Sequence, residues 1–138
     1  MKIIILLLCT AAAITVLMAE PSRTVLEGVY TPEQAVRGRE IYADKCYFCH
    51  GRALLGEGEA PALSGNRFLT EWETVAVGAL FDRIRTGMPI KTPGTLSRQQ
   101  SADLTAFLLY YNGFPSGPTE LSTRSELLQD IRIVLPKR

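Results

Sequence analysis

The chain has 138 residues, 46% of them apolar and 21% charged, with 15 Lys and Arg against 14 Asp and Glu. That is the composition of one small globular domain, and it excludes long disorder, collagen-like repeats and a many-span membrane protein. A near-neutral balance with both signs interspersed provides no basic stripe for phosphate backbones, so no nucleic-acid partner is expected.

The chain opens with Lys2, an apolar run from Ile3 to Met18, and Ala19 before Glu20 and Pro21. This is the pattern of an export signal, with cleavage expected after Ala19 and a periplasmic location to follow. An uncleaved membrane anchor is the alternative, because the run is nearly long enough to span a bilayer. Cys9 does not suggest lipidation, since Leu8 stands where a small residue is needed. Removing residues 1–19 also removes Lys2, and the remaining chain is formally neutral.

Residues 20–30 form a lead-in. Thr31, Pro32 and Gln34 then read as a helix start, with threonine as N-cap, proline in the first turn and glutamine closing a capping box. The helix is expected to run to about Lys45, with Gly38 and Tyr42 on one face. A mid-helix glycine costs about 1 kcal/mol relative to alanine. It suggests close approach by another helix, an unselected but tolerated glycine being the alternative.

Without residues 1–19 the chain keeps only two cysteines, one histidine and one methionine. Three of these four form the run Cys46, Tyr47, Phe48, Cys49, His50, which has the spacing for covalent attachment of a c-type haem. Two thiols three residues apart suit the two vinyl groups of one porphyrin, and the adjacent histidine is aimed at its iron. A disulfide, a thioredoxin-like pair and a zinc site are the competing readings. Structural zinc needs four ligands, and a thioredoxin motif expects a preceding strand where helix is read here.

From Gly51 to Arg67 the chain reads as loop, with an acidic patch at Glu57 and Glu59. Thr70 to Glu73 give a second capping signal, followed by Val77, Leu80, Phe81 and Ile84 at helical spacing. This stripe leads to Met88, flanked by Gly87 and Pro89. A lone methionine is more often a core filler. Iron has a second axial position, however, and no second histidine exists to fill it, so Met88 is the candidate ligand; an open or lysine-ligated site is the alternative.

Ser97 and Gln100 cap a third helix carrying Leu104, Phe107, Leu108 and Tyr111, which Asn112 and Gly113 should stop. Residues 31–113 are thus the expected domain. Residues 114–138 read as a Pro- and Gly-rich linker and a last helix bearing Leu127, Leu128, Ile131 and Val134. No convincing strand is seen, and the expected fold is all-α around a cofactor, with a C-terminal helical extension.

These residues resemble the small bacterial monohaem cytochromes c, over about Thr31 to Gly113. The resemblance rests on Cys46 to His50 after a helix with Gly38 and Tyr42, the Gly87 to Pro89 loop, and a closing helix with Leu104, Phe107 and Tyr111. The stretch from Leu80 through Arg85 to Pro89, with Asn112 to Pro115, looks like cytochrome domains found beside quinoprotein dehydrogenases. The resemblance implies that the first and last helices cross, Gly38 and Tyr42 meeting Leu104 and Phe107, and that the Pro61 carbonyl accepts a hydrogen bond from His50. Trp72 and Arg52 are candidates to bond a haem propionate.

The implied function is single-electron transfer without catalysis, through one haem c ligated by His50 and Met88. The expected partners are redox proteins, such as a quinoprotein dehydrogenase as donor and a terminal oxidase or other cytochrome as acceptor. Two alternatives stand beside it: an electron-transfer subunit of a dehydrogenase complex, and a gas- or peroxide-binding haem with displaceable Met88.

Overall fold

The computed structural model describes residues 23–136, and the expected export segment lies outside them. In chain order the elements are strand β1 (Arg23–Thr24), helix α1 (Pro32–Lys45), the single turn α2 (Tyr47–His50), α3 (Gly65–Trp72), α4 (Val77–Gly87), α5 (Arg98–Tyr111) and strand β2 (Ile131–Arg132). Two 3₁₀ turns, Val25–Glu27 and Ser125–Leu127, complete the list. The fold is all-α, as expected.

Helix α1 starts at its predicted cap, where Thr31 Oγ1 accepts the Gln34 N–H at 3.2 Å. The return bond of the capping box is not made. Gln34 is fully buried, and its amide instead donates to the Leu121 carbonyl at 3.0 Å and accepts the Leu121 N–H at 2.7 Å. Acting like a peptide group, it satisfies two buried backbone atoms that would otherwise be costly and ties α1 to the C-terminal segment.

Helix α5 does have its capping box, Gln100 N–H to Ser97 Oγ at 3.1 Å and Ser97 N–H to Gln100 Oε1 at 2.9 Å. Every residue from Ser101 to Leu109 is buried, the pattern of a helix enclosed on all sides. Helix α1 crosses it at Gly38. A Cβ there would overlap the Asp103 carbonyl oxygen and lie 2.7 Å from Phe107 Cβ, so the approach itself requires glycine. The Tyr42 ring packs 5.3 Å from that of Phe107. Beside the crossing, Arg37 makes a two-pronged pair with buried Asp103 at 3.1 and 3.0 Å, and a bond to Glu120 at 2.8 Å.

Two expectations are corrected. Thr70 to Glu73 do not begin a helix: Thr70 to Trp72 are the end of α3, which starts inside the expected loop at Gly65, and Glu73 caps it. Thr74, at φ +66°, turns the chain, and α4 begins at Val77 without a side-chain cap. Its stripe of Val77, Leu80, Phe81 and Ile84 is buried as read.

The C-terminal segment is likewise not a helix beyond the Ser125–Leu127 turn. Ile131 and Ile133 are buried while Arg132 between them is exposed, which is the two-residue period of a strand. β2 runs parallel to β1, Arg23 opposite Ile131. On its other side the Thr74 N–H donates to the Ile133 carbonyl at 2.7 Å and the Ile133 N–H to the Val75 carbonyl at 3.0 Å. Branched side chains suit this pleated, half-buried position. The segment packs on the domain as a strap, and the Gly78 N–H at the start of α4 donates to the Leu128 carbonyl at 3.0 Å.

Candidate functional site

Helix α1 ends at Cys46, whose φ of −121° breaks the helix before the single turn α2 resumes. The Cys49 and His50 N–H groups both donate to the Cys46 carbonyl, at 3.2 and 3.0 Å. This tight turn puts both sulfurs and the imidazole on one wall of a cavity of about 980 Å3. Gly51, at φ +76°, then takes the chain out of the turn. Its carbonyl accepts the Tyr42 hydroxyl at 2.7 Å, which fastens α2 to α1.

His50 is only 7% exposed. Its Nδ1 lies 2.9 Å from the Pro61 carbonyl oxygen. That oxygen can only accept, so Nδ1 is the donor, and in the neutral ring this leaves the lone pair on Nε2. The resemblance implied this contact, and the structure contains it.

Met88 enters from the far side in sequence. The α4 ladder closes with its N–H on the Ile84 carbonyl at 3.1 Å, and Met88 itself is extended at φ −122° and ψ 152°. It lines the same cavity as Cys46, Cys49, His50 and Pro61, so the five predicted site residues converge. Apolar wall is supplied by Leu80 and Ile84 from α4 and by Leu104 and Leu108 from α5. Trp72 also lines the cavity. Arg52 lies instead over the Tyr47 ring, 5.6 Å from its centroid.

Of the competing readings, thioredoxin-like chemistry finds no support in the setting. Cys46 follows a helix, and burial pushes its thiol up to about 11, whereas reactive thiols of that class are shifted down. The two sulfurs are not joined to each other. Among the described residues, no three His, Cys, Asp or Glu side chains gather as a metal cage. What is present suits a haem: two thiols one turn apart, an imidazole with its lone pair free, a thioether, and an apolar cavity at the upper end of the usual range for bound cofactors.

Sequence reasoning did not single out Leu54 or Gly56. Leu54 is buried at φ +57°, and Gly56 sits at φ +77° against the Pro61 peptide. A glycine within a leucine-flanked loop was the available signal. Phe48, 83% exposed, and Ile90, 68% exposed, stand at the cavity mouth, with Lys91 Nζ 6.0 Å from the Phe48 ring centroid.

Comparison with known proteins agrees with this geometry. The family model described as cytochrome c oxidase, cbb3-type, subunit III matches residues 33–108. The chain is similar to a solved structure, the sulfane dehydrogenase SoxCD from Paracoccus pantotrophus, at 28% identity and a TM-score of 0.55. The match covers 71% of this chain and 52% of that one, so the chain spans about half the length of that relative. No curated protein matches it significantly. The chain belongs to the family of cytochrome c domains described as cytochrome c oxidase, cbb3-type, subunit III, and as such it is a haem protein of electron transfer, with haem c covalently bound.

Proposed function

We propose that the protein is an exported, periplasmic carrier of single electrons and not an enzyme, with its haem joined to Cys46 and Cys49 and its iron held between His50 and Met88. The observation that carries this reading is the convergence of those four side chains on one apolar cavity. Haem iron supplies a one-electron couple, and sulfur opposite imidazole raises its potential. The protein's own part is positional. Pro61 fixes the His50 ring and raises its basicity, the end of α4 delivers Met88, and the leucine and isoleucine wall keeps water away.

Phe48 and Ile90 expose apolar surface where they line the cavity. They suit transient docking of a redox partner over a small interface with fast release. The similarity to a sulfane dehydrogenase structure favours a dehydrogenase as the donor, either as a diffusing partner or within one complex. A catalytic haem fits less well, because His50 is the only histidine in the chain and none remains to serve as a distal acid or base.

The test is the visible spectrum of the ferric protein and the response of the reduced, ferrous protein to carbon monoxide. A weak red band from sulfur ligation and no rapid carbon monoxide adduct are expected; Met88→Ala should lose the band and bind the gas. A wild-type protein that binds carbon monoxide at once, without the red band, overturns the ligand assignment.

A further inference from the structure

The segment between His50 and α3 is folded back on itself around a buried leucine. The Leu54 N–H donates to the Gly51 carbonyl at 3.2 Å, and the Leu54 carbonyl accepts the Leu63 N–H at 2.7 Å. The Ser64 hydroxyl lies 3.1 Å from the Ala53 carbonyl oxygen and 3.3 Å from that of Leu54. Leu54 holds φ +57° although it has a side chain, a conformation that persists only when surrounding contacts impose it. The tip of the fold therefore has a defined place relative to His50.

Gly56 connects the two sides. Its N–H donates to the carbonyl of His50 itself at 3.0 Å. Its Cα faces the backbone of Ala60 to Ala62: a Cβ built there would overlap the Ala60 carbonyl oxygen and lie 2.8 Å from the Pro61 carbonyl carbon and 2.9 Å from the Ala62 nitrogen. All three are backbone atoms, which cannot rotate out of the way as a side chain would. The peptide that receives the His50 Nδ1–H at 2.9 Å is thus backed directly by Gly56.

We propose that Gly56 is a positioning residue for His50, holding the Pro61 carbonyl where it orients the imidazole and sets its donor strength. This rests on the reading that His50 ligates the iron. The bond at 2.9 Å is at its preferred length, so displacing the Pro61 peptide in any direction weakens it. A weaker bond makes the imidazole a poorer donor, which destabilises the ferric state and raises the reduction potential.

The experiment compares Gly56→Ala with Gly94→Ala in the haem-loaded protein. Both glycines sit at φ +77°, but nothing lies within 4 Å of a Cβ at Gly94, so both variants place an alanine at the same positive φ and only one touches Pro61. Spectrally monitored redox titration should show the Gly56→Ala potential raised by up to about tenfold in the ferrous-to-ferric ratio, about 59 mV for one electron. The His50 Nδ1 proton should exchange faster in the same variant, with both properties unchanged in Gly94→Ala. Equal shifts in the two variants, or none in Gly56→Ala, overturn the proposal. If Gly56→Ala does not accumulate, Ser64→Ala loosens the same fold without adding an atom and should shift the potential upward by less; an unchanged value then overturns it. Hyperfine-shifted imidazole resonances assigned to His50 in the ferric wild type separate the two readings. Their absence defeats the ligand assignment and this proposal together, whereas their presence with an unmoved potential defeats the role of Gly56 alone.

Discussion

Replacing Gly38 by alanine sets two effects of opposite sign against each other. Within a helix, alanine is favoured over glycine by about 0.5–1 kcal/mol, so an isolated α1 would gain. At this crossing the added Cβ meets the Asp103 carbonyl oxygen and Phe107 Cβ, and α1 and α5 must separate by a substantial fraction of an atomic diameter. Overpacking of this kind costs about 1–3 kcal/mol, and the upper end applies because the first obstacle is backbone. The same separation strains the Arg37 pair with Asp103. The net expectation is a loss of about 2 kcal/mol, a fall in Tm on the order of 8 °C for a domain of this size. Urea unfolding followed by far-UV circular dichroism, with thermal melts alongside, reads this directly. Gly87→Ala is the matched control, since its Cβ would meet nothing closer than the Arg83 side chain at 3.8 Å, and it should be neutral or slightly stabilising. If Gly38→Ala is as stable as the wild type, propensity has won and the close crossing does not exist as described.

Gln34→Leu removes both partners of the Leu121 peptide in a buried place; two unsatisfied backbone groups should cost about 2–5 kcal/mol in urea unfolding while leaving the ferric spectrum unchanged, and a loss under 1 kcal/mol would contradict the role given to that amide. Burial pushes the Tyr30 hydroxyl up to about 12, so the native state keeps its proton where the unfolded chain loses it. Its contribution is intact below about pH 10 and is lost as pH rises toward 12, by on the order of 2–3 kcal/mol in all. Tyr42 is raised for the same reason and adds a slope of the same sign, so Tyr30→Phe should lessen the alkaline loss measured by urea unfolding without abolishing it; an identical slope in that variant would refute the assignment.

The parts of the fold that were legible in the sequence are those decided within a few residues. Thr31 and Ser97 cap α1 and α5 through bonds spanning three positions, and the stripes behind them repeat at helical spacing. Cys46 to His50 were legible for the same reason, being contiguous, and Met88 because it is scarce. Thr70 to Glu73 misled because the same Thr-x-x-Glu spacing also occurs at the end of a helix, where no cap forms; the true start of α4 depends on Leu128 and Ile133, some fifty residues later. The C-terminal strap was misread because Leu128, Ile131 and Val134 fit a helical face as well as Ile131 and Ile133 fit a strand, and a run this short does not distinguish the two periods. Pairing with Arg23 and Val75 decided it. Gln34 was recognised as a cap residue, but its amide serves Leu121, and the leucine-flanked position of Gly56 does not reveal that it packs against the Pro61 peptide.

Attachment of the haem at Cys46 and Cys49 underlies every role assigned to the cavity. Intact mass and peptide mapping of the protein, produced alongside haem-attachment machinery, test it most directly. The expected result is a mass above that of the polypeptide by one haem, a haem-bearing peptide containing Cys46 to His50, and neither thiol open to alkylation. A chain with the mass of its amino acids alone and both cysteines alkylated would contradict it.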